Sequence, residues 1–312
     1  MKISASIYAN ARRDLYSLVH ELDRLKVDLL HVDVTADNAH RVRDDLLVIR
    51  GFSSVPFDVH LTGAPVQTAR DLASAVPVHS LSMQWEDYGH QALDVPQVAR
   101  RGLAVQADTD PHDLPDAVSE LDFLLLMTTV PGISGGRFDA SRFRRIRAYR
   151  RAFPGLSLRV DGGVNAEIAF ILRTLGVDAV VSGSFLVNHD HLGQAIIDLR
   201  RSIATSRFTV ADFMLGRDDL PVIDPDRDDV TIAVERMDAY GLGFVLVERD
   251  GRLAGLISNA DLRRGILRHL RAGSALTLDA TFNPTPITIS AAATTREMLD
   301  HIKSIDFPIL FL

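Results

Sequence analysis

Eight short apolar runs alternate with helix-like segments over the first 205 residues of this 312-residue chain, and this alternation constrains the fold most. The runs are KISASI (2–7), LLHVDV (29–34), FDVHL (57–61), SLSMQ (80–84), LAVQA (103–107), FLLLMTT (123–129), LSLRVD (156–161) and AVVSGS (179–184). Amphipathic helical patterns lie between several of them, at 12–26, 66–75, 140–153 and 165–175. Strands that alternate with helices predict an α/β fold with a parallel sheet. Eight such units favour a compact (β/α)8 TIM barrel, and a doubly wound open sheet is the alternative.

Composition excludes several classes of protein. The chain has no cysteine, so disulfide frameworks, thiolate nucleophiles and cysteine-ligated zinc are excluded, and any metal must be held by His, Asp or Glu. A formal net charge of −7 argues against a nucleic-acid partner. No apolar run approaches the roughly 20 residues that cross a bilayer, and polar residues come too early for a signal peptide. We therefore expect a cytoplasmic protein with no membrane partner.

The pattern changes after a helix predicted at about 191–204, which divides the chain into a barrel over 1–205 and a smaller α+β domain over 213–312. Asp250-Gly251 lies between two apolar runs and predicts a β-hairpin. The predicted order is strand–helix–strand–strand–helix, with the first helix at 230–240, the next two strands at 244–248 and 253–258, and the last helix at 260–270. A strand at 286–290, a helix near 294–305 and a strand at 308–312 begin an incomplete second copy of this order.

Polar residues concentrate at the carboxyl ends of the barrel strands, where the active sites of TIM barrels lie. His31 and Asp33 point to the same side of strand 2, His60 lies on strand 3, Asp161 ends strand 7, and Ser6 comes from strand 1. A lone strand histidine is more often a hydrogen-bonded core residue than a ligand. Two His and two carboxylates that converge predict a divalent-metal site for zinc, manganese or iron.

Glycine-rich loops follow three consecutive strands of the predicted barrel. Glycines allow backbone N–H groups to approach an oxyanion closely, although simple tight turns would have the same composition. The loops predict a phosphate site, whose candidate residues are Gly132, Ser134, Gly135, Gly162, Gly163, Gly183 and Ser184.

Several of these segments together resemble the ribulose-phosphate 3-epimerase family. They are SASI (4–7), HVDV (31–34), FDVHL (57–61), MTTVPGISGGRF (127–138), VDGGV (160–164) and SGS (182–184). The resemblance implies a metal held by His31, Asp33, His60 and Asp161. It makes Asp33 and Asp161 the acid–base pair of a 3-epimerisation through a 2,3-enediolate, with Ser6 near the substrate. The phosphate would bind at Gly162, Gly163, Gly183 and Ser184.

The chain departs from the family pattern around the expected site. Thr35-Ala36-Asp37 replaces the usual Met-Asp-Gly, Thr62 replaces a methionine, and Gln84 stands where a His is common, although Glu86 is kept. These changes leave the substrate open among ribulose 5-phosphate, hexulose 6-phosphates and other ketose phosphates. A catalytically silent barrel, acting as a sensor or scaffold, is the alternative function. A decarboxylase of the orotidine or keto-gulonate phosphate type would need a Lys that 33–37 lacks.

The C-terminal residues resemble CBS domains, in LPVI (220–223), residues 241–267 and NPTPITIS (283–290). The resemblance implies nucleotide binding, adenine or other, at Ser258 and Asp261, although a plain helix N-cap explains the same residues equally well. CBS modules normally work in pairs and the second copy is incomplete. The apolar end, 309–312, would invite pairing with another molecule. We therefore expect a homo-oligomer.

Overall fold

The computed structural model describes residues 1–10, 12–94, 96, 98–129, 136–200, 207–273 and 275–303. The chain divides into two compact units, Met1–Phe208 and Thr209–Leu312. Within the described ranges, every helix is too short or too polar to cross a lipid bilayer.

The N-terminal unit is a closed barrel of eight parallel strands, in which each strand pairs with its neighbours in chain order. The strands are β1 (Lys2–Ser6), β2 (Leu29–Val34), β3 (Phe57–Leu61), β4 (Val78–Gln84), β5 (Arg100–Gln106), β6 (Phe123–Met127), β7 (Ser157–Asp161) and β8 (Ala179–Ser182). Pairing of β1 with β8 closes the sheet. The predicted barrel is confirmed, and the open-sheet alternative is wrong.

Helices surround the barrel because each has one apolar face to bury. They are α1 (Leu15–Arg24), α2 (Ala39–Arg50), α3 (Val66–Ala75), α4 (Trp85–Tyr88), α5 (Ser141–Ala152), α6 (Ala166–Thr174), α7 (Ser184–Val187) and α8 (Leu192–Arg200). Side-chain caps explain where two of these helices begin. Asp14 caps α1 by accepting a hydrogen bond from the Ser17 N–H, and Asn165 caps α6 through the Ile168 N–H.

The inside of the barrel has an apolar side and a polar side. Ala104, Phe123, Leu125, Met127 and Val181 form a buried cluster contributed by β5, β6 and β8. The polar side chains come mainly from β1, β2, β3, β4 and β7, and they are described with the candidate site.

The C-terminal unit contains a three-stranded sheet in the order β11-β10-β9. The strands are β9 (Val222–Ile223), β10 (Phe244–Arg249) and β11 (Arg252–Ser258), and the helices are α9 (Val210–Phe213), α10 (Val230–Ala239), α11 (Asn259–Ala272) and α12 (Thr295–Lys303). The predicted hairpin forms between β10 and β11. Asp250 and Gly251 have φ values of 51° and 71°, as the two central residues of a type I′ turn require.

The start of the predicted second copy differs from expectation. Residues 286–290 form no strand in the described structure, and β11 makes only an isolated bridge from Leu256 to Asn283. Pro284 and Pro286 have no N–H to donate, which explains why pairing stops beside Asn283. The strand predicted at 308–312 lies outside the described residues.

Candidate active site

The four predicted metal ligands meet at the carboxyl end of the barrel. His31 and Asp33 face the same side of β2 because side chains alternate along a strand. The register of the β2–β3 pair places Asp33 opposite His60. The side chains of both histidines are fully buried, whereas those of Asp33 and Asp161 are 24% and 16% exposed. The carboxylates therefore lie between the buried imidazoles and solvent.

Short distances connect these four side chains. The Nδ1 atom of His60 lies 2.9 Å from Asp33 Oδ1, and His31 Nε2 lies 3.4 Å from the same oxygen. Asp161 Oδ2 is 3.6 Å from His31 Nε2. One ligand atom from each of His31, Asp33 and His60 lies within 4.8 Å of the other two. This spacing suits one shared cation, with the Asp161 carboxylate beside it.

Asp58 determines which nitrogen of His31 is free. Asp58 Oδ2 lies 3.1 Å from His31 Nδ1 and accepts a hydrogen bond from Ser4 Oγ. Its other oxygen accepts hydrogen bonds from Ser80 Oγ and from the Arg159 guanidinium. A carboxylate beside Nδ1 favours a proton on that nitrogen, which leaves the lone pair on Nε2. This buried Nε2 has no hydrogen-bond partner among the described residues, as expected for a metal ligand.

The pKa values of the two carboxyl groups nearest the solvent, those of Asp33 and Asp161, are shifted in opposite directions. Burial would raise the pKa of Asp33, but the adjacent imidazoles of His31 and His60 hold it well below its usual range. Burial raises the pKa of Asp161 to about 6, against an opposing effect of His31. Burial disfavours the charged form of His31, yet the carboxylates of Asp33 and Asp58 raise its pKa well above its ordinary value. A bound cation would compete with these protons.

A cavity of about 610 Å³ opens above the cluster. Among the predicted site residues, those that line it are Ser6, Asp33, Asp161, Gly162, Gly163, Gly183 and Ser184. The cavity therefore brings the acid–base candidates and the glycine loops after β7 and β8 to one place. Of the loop after β6, Gly132, Ser134 and Gly135 lie outside the described residues, whereas Gly136 lines the cavity.

Gly162 and Gly163 could not be replaced without disturbing the loop after β7. Their φ values are 115° and 64°, which residues with a Cβ rarely adopt. A Cβ at Gly162 would come within 2.7 Å of the Thr129 backbone nitrogen, and one at Gly163 within 2.6 Å of the Phe138 nitrogen. Close packing in this loop therefore requires glycine at both positions. The absence of side chains also leaves the backbone accessible to a ligand.

Two residues next to the candidate ligands, Asp58 and Arg159, were not predicted from the sequence. Asp58 and Arg159 form an ion pair of 2.7 Å inside the barrel, and each is 5% exposed or less. The signal was present, because each lies two positions before a predicted ligand, His60 and Asp161, and so faces the same side of its strand. Their pairing could not be seen, since they are 101 positions apart.

In the C-terminal unit, Ser258 and Asp261 form a capping box at the start of α11. Ser258 Oγ accepts a hydrogen bond from the Asp261 N–H, and the Asp261 carboxylate accepts one from the Ser258 N–H. These bonds are the helix N-cap that the sequence offered as one of two explanations. Nucleotide binding at these residues stays a prediction.

The chain is similar to several known proteins. Ribulose-phosphate 3-epimerase of Bacillus subtilis is 25% identical over 217 residues, which cover 65% of this chain and 99% of that protein. The enzyme of the same name from Rhodospirillum rubrum is 32% identical over 172 residues, covering 51% of this chain and 75% of that protein. Among solved structures, 3-hexulose-6-phosphate synthase is similar over 65% of this chain and all of its own, at 13% identity and a TM-score of 0.48.

The match to a family model covers most of the barrel. Residues 2–187 match the model described as "Ribulose-phosphate 3 epimerase family", which is more than half of the 312 residues. The chain therefore belongs to the ribulose-phosphate 3-epimerase family and is an isomerase of the sugar-phosphate epimerase type.

Proposed function

We propose that the barrel is a metal-dependent 3-epimerase of a ketose phosphate. The substrate is ribulose 5-phosphate and its epimer xylulose 5-phosphate, or a related pentulose or hexulose phosphate. The observation that carries the proposal is the buried Nε2 of His31, which has no hydrogen-bond partner among the described residues and lies 3.4 Å from an oxygen of Asp33 and 3.6 Å from one of Asp161. Buried polar atoms usually have a hydrogen-bond partner, so this nitrogen is available to a ligand.

His31, Asp33 and His60 would hold the cation, with Asp161 as a fourth ligand. Their nitrogen and carboxylate donors suit zinc, manganese or iron. When bound, a divalent cation stabilises negative charge that develops on the substrate oxygens.

The acid–base step falls to Asp33 and Asp161. Epimerisation beside a carbonyl requires removal of the C3 proton, which gives a 2,3-enediolate, and return of a proton to the opposite face. One carboxylate takes the proton, the other delivers one, and the roles exchange with the direction of reaction. Both side chains line the cavity, from strands β2 and β7. Ser6 also lines the cavity and would contact the substrate.

The phosphate group would bind at the glycine loops that follow β7 and β8. Backbone N–H groups of Gly162, Gly163, Gly183 and Ser184 are the candidates, because the first two cannot carry a Cβ and all four line the cavity. Gly132, Ser134 and Gly135 remain predicted contributors from the loop after β6.

Exchange of the C3 proton tests the proposal directly. We expect ribulose 5-phosphate, or a hexulose 6-phosphate from a small panel, to exchange its C3 proton for deuterium when the protein and Zn²⁺ or Mn²⁺ are both present. Proton NMR in deuterated buffer follows the loss of the C3 signal. Without added metal and with a chelator, exchange should stop. If no ketose phosphate exchanges under any condition, the epimerase proposal fails and the silent sensor or scaffold becomes the better hypothesis.

A second proposal concerns residues 209–312. The order β9, α10, β10, β11 and α11 is the strand–helix–strand–strand–helix unit that the sequence predicts. We propose that this unit binds a nucleotide, and that Ser258 and Asp261 contribute to the site. An adenine nucleotide should raise the melting temperature of the full chain, whereas the same concentration of inorganic phosphate should not. Equal melting temperatures with and without a panel of nucleotides would count against the proposal.

Self-association and a cytoplasmic location also stay predictions.

A further inference from the structure

Gln84 lies at the end of β4, directly against the proposed metal ligand His60. The Nε2 atom of His60 is 2.8 Å from Gln84 Oε1, and both side chains are almost completely buried. On its other side, the imidazole presents Nδ1 to Asp33 at 2.9 Å. The Nε2 atom of His60 therefore contacts the Gln84 amide, and its Nδ1 atom faces the proposed metal ligands.

The direction of the hydrogen bond between Gln84 and His60 is fixed by Glu86. A carboxylate only accepts hydrogen bonds, so the Gln84 NH₂ group must be the part of the amide that faces Glu86. Glu86 is itself held in place, because its Oε1 accepts hydrogen bonds from the Gln106 N–H and from Thr109 Oγ1. The amide oxygen of Gln84 consequently faces His60, where it can only accept.

An acceptor at this position determines the tautomer of His60. The proton must lie on Nε2 for the hydrogen bond to Gln84 to form, so the lone pair lies on Nδ1, the nitrogen that faces Asp33. A metal can coordinate only a nitrogen that carries a lone pair. Without Gln84, the neighbouring Asp33 carboxylate would attract the proton to Nδ1 and close that ligand position.

We infer that Gln84 is a positioning residue, which with Glu86 fixes the proton of His60 on Nε2 and keeps Nδ1 available to a divalent cation. The inference rests on the proposed metal site and adds to it. His31 is held in the complementary way, with Asp58 at its Nδ1 and an Nε2 that has no hydrogen-bond partner among the described residues. The two histidines thus present different nitrogens to the same cluster, each selected by a side chain behind it.

Two variants separate this role from simple packing. Gln84→Leu removes the acceptor but keeps much of the volume. The exchanged pair Gln84→Glu/Glu86→Gln keeps the net charge, restores an acceptor at position 84 and restores an amide donor at position 86. Gln194→Leu serves as the matched control, because Gln194 is an exposed residue of helix α8 whose side chain donates a hydrogen bond to nearby Asp198.

Histidine side-chain ¹⁵N NMR gives the tautomer, and His60→Gln identifies the His60 signals among those of the 11 histidines. In wild type and in the exchanged pair, we expect a proton on Nε2 with and without Zn²⁺. In metal-free Gln84→Leu, we expect the neutral ring to carry its proton on Nδ1. Competition with a chromophoric chelator measures Zn²⁺ affinity. It should fall roughly 10- to 100-fold in Gln84→Leu, as for other residues that orient metal ligands, and stay near wild type in the exchanged pair and in Gln194→Leu.

The outcomes distinguish this inference from the function on which it rests. An unprotonated Nε2 in the metal-free wild type, or unchanged zinc affinity in Gln84→Leu, would overturn the role of Gln84 and leave the metal site intact. Failure of the wild type to bind any metal would contradict the proposed function instead. The His60 tautomer of the metal-free protein would still decide whether Gln84 and Glu86 control it.

Discussion

Replacement of Asp161 by Asn should reduce C3 proton exchange by about 10²- to 10⁴-fold, the usual contribution of a positioned general acid or base. Asparagine has nearly the same shape as aspartate but cannot take a proton from carbon. Asp161 ends β7 and lines the cavity beside His31, so its loss removes one face of the acid–base pair. NMR exchange measurements on Asp161→Asn with saturating Zn²⁺ provide the rate.

Zinc affinity must be measured on the same variant, because Asp161 is also a proposed ligand. If the exchange rate stays low when zinc occupancy is restored, the carboxylate acts in proton transfer. Asp94→Asn is the matched control, since Asp94 is exposed and pairs with Arg70 at the surface. Undiminished exchange in Asp161→Asn would show that Asp161 does not transfer the proton. A residue other than Asp161 would then have to act with Asp33 as the second acid or base.

The architecture of the barrel could be predicted from sequence because apolar runs mark its strands, as is typical of strands buried on both faces. β6 is the clearest case, with all five residues of Phe123–Met127 buried. The starts of β4 and β5 were less accurate. β5 begins at Arg100, three residues before the predicted run, because its first residues, Arg100 and Arg101, are polar. The apolar pattern reports burial, whereas strand pairing can extend beyond it.

The grouping of the candidate site was predictable where its proposed residues lie in recognisable motifs. His31, Asp33, His60 and Asp161 lie in such motifs, and the structure brings their side chains together. The residues behind them were harder to predict, because their function depends on contacts between strands. Gln84 was visible only as a departure from the family pattern, and the structure shows that its amide contacts His60.

The second polar layer of the barrel was not predictable, since it depends on which side chains meet across the interior. Asp58 and Arg159 come from β3 and β7, and the Arg159 guanidinium also stacks on the Phe123 ring at 3.6 Å. Gly102 leaves room for that ring, because a Cβ there would lie 2.3 Å from it. The buried Arg159 guanidinium is thus accommodated by residues of three other strands. They are Asp58 on β3, Phe123 on β6 and Gly102 on β5.

Replacement of Arg159 by Met should lower the free energy of unfolding of the barrel by about 3–5 kcal/mol, the cost of leaving one member of a buried ion pair uncompensated. Asp58 would keep its bonds to Ser4, Ser80 and His31 but lose its charged partner. Urea unfolding followed by the fluorescence of Trp85, the single tryptophan, reports on the barrel and not on the C-terminal unit.

Two further variants decide whether the charge of Asp58 is the cause. Arg200→Met breaks an ion pair with Asp28 that is partly exposed, and it should cost less than about 1 kcal/mol. Asp58→Asn/Arg159→Met removes both charges, so it should recover part of the stability lost in Arg159→Met. If Arg159→Met costs no more than Arg200→Met, the buried pair does not stabilise the fold. If the double variant is less stable than Arg159→Met, the hydrogen bonds of the Asp58 carboxylate matter more than its pairing with Arg159. Asp58 would then serve mainly to orient His31.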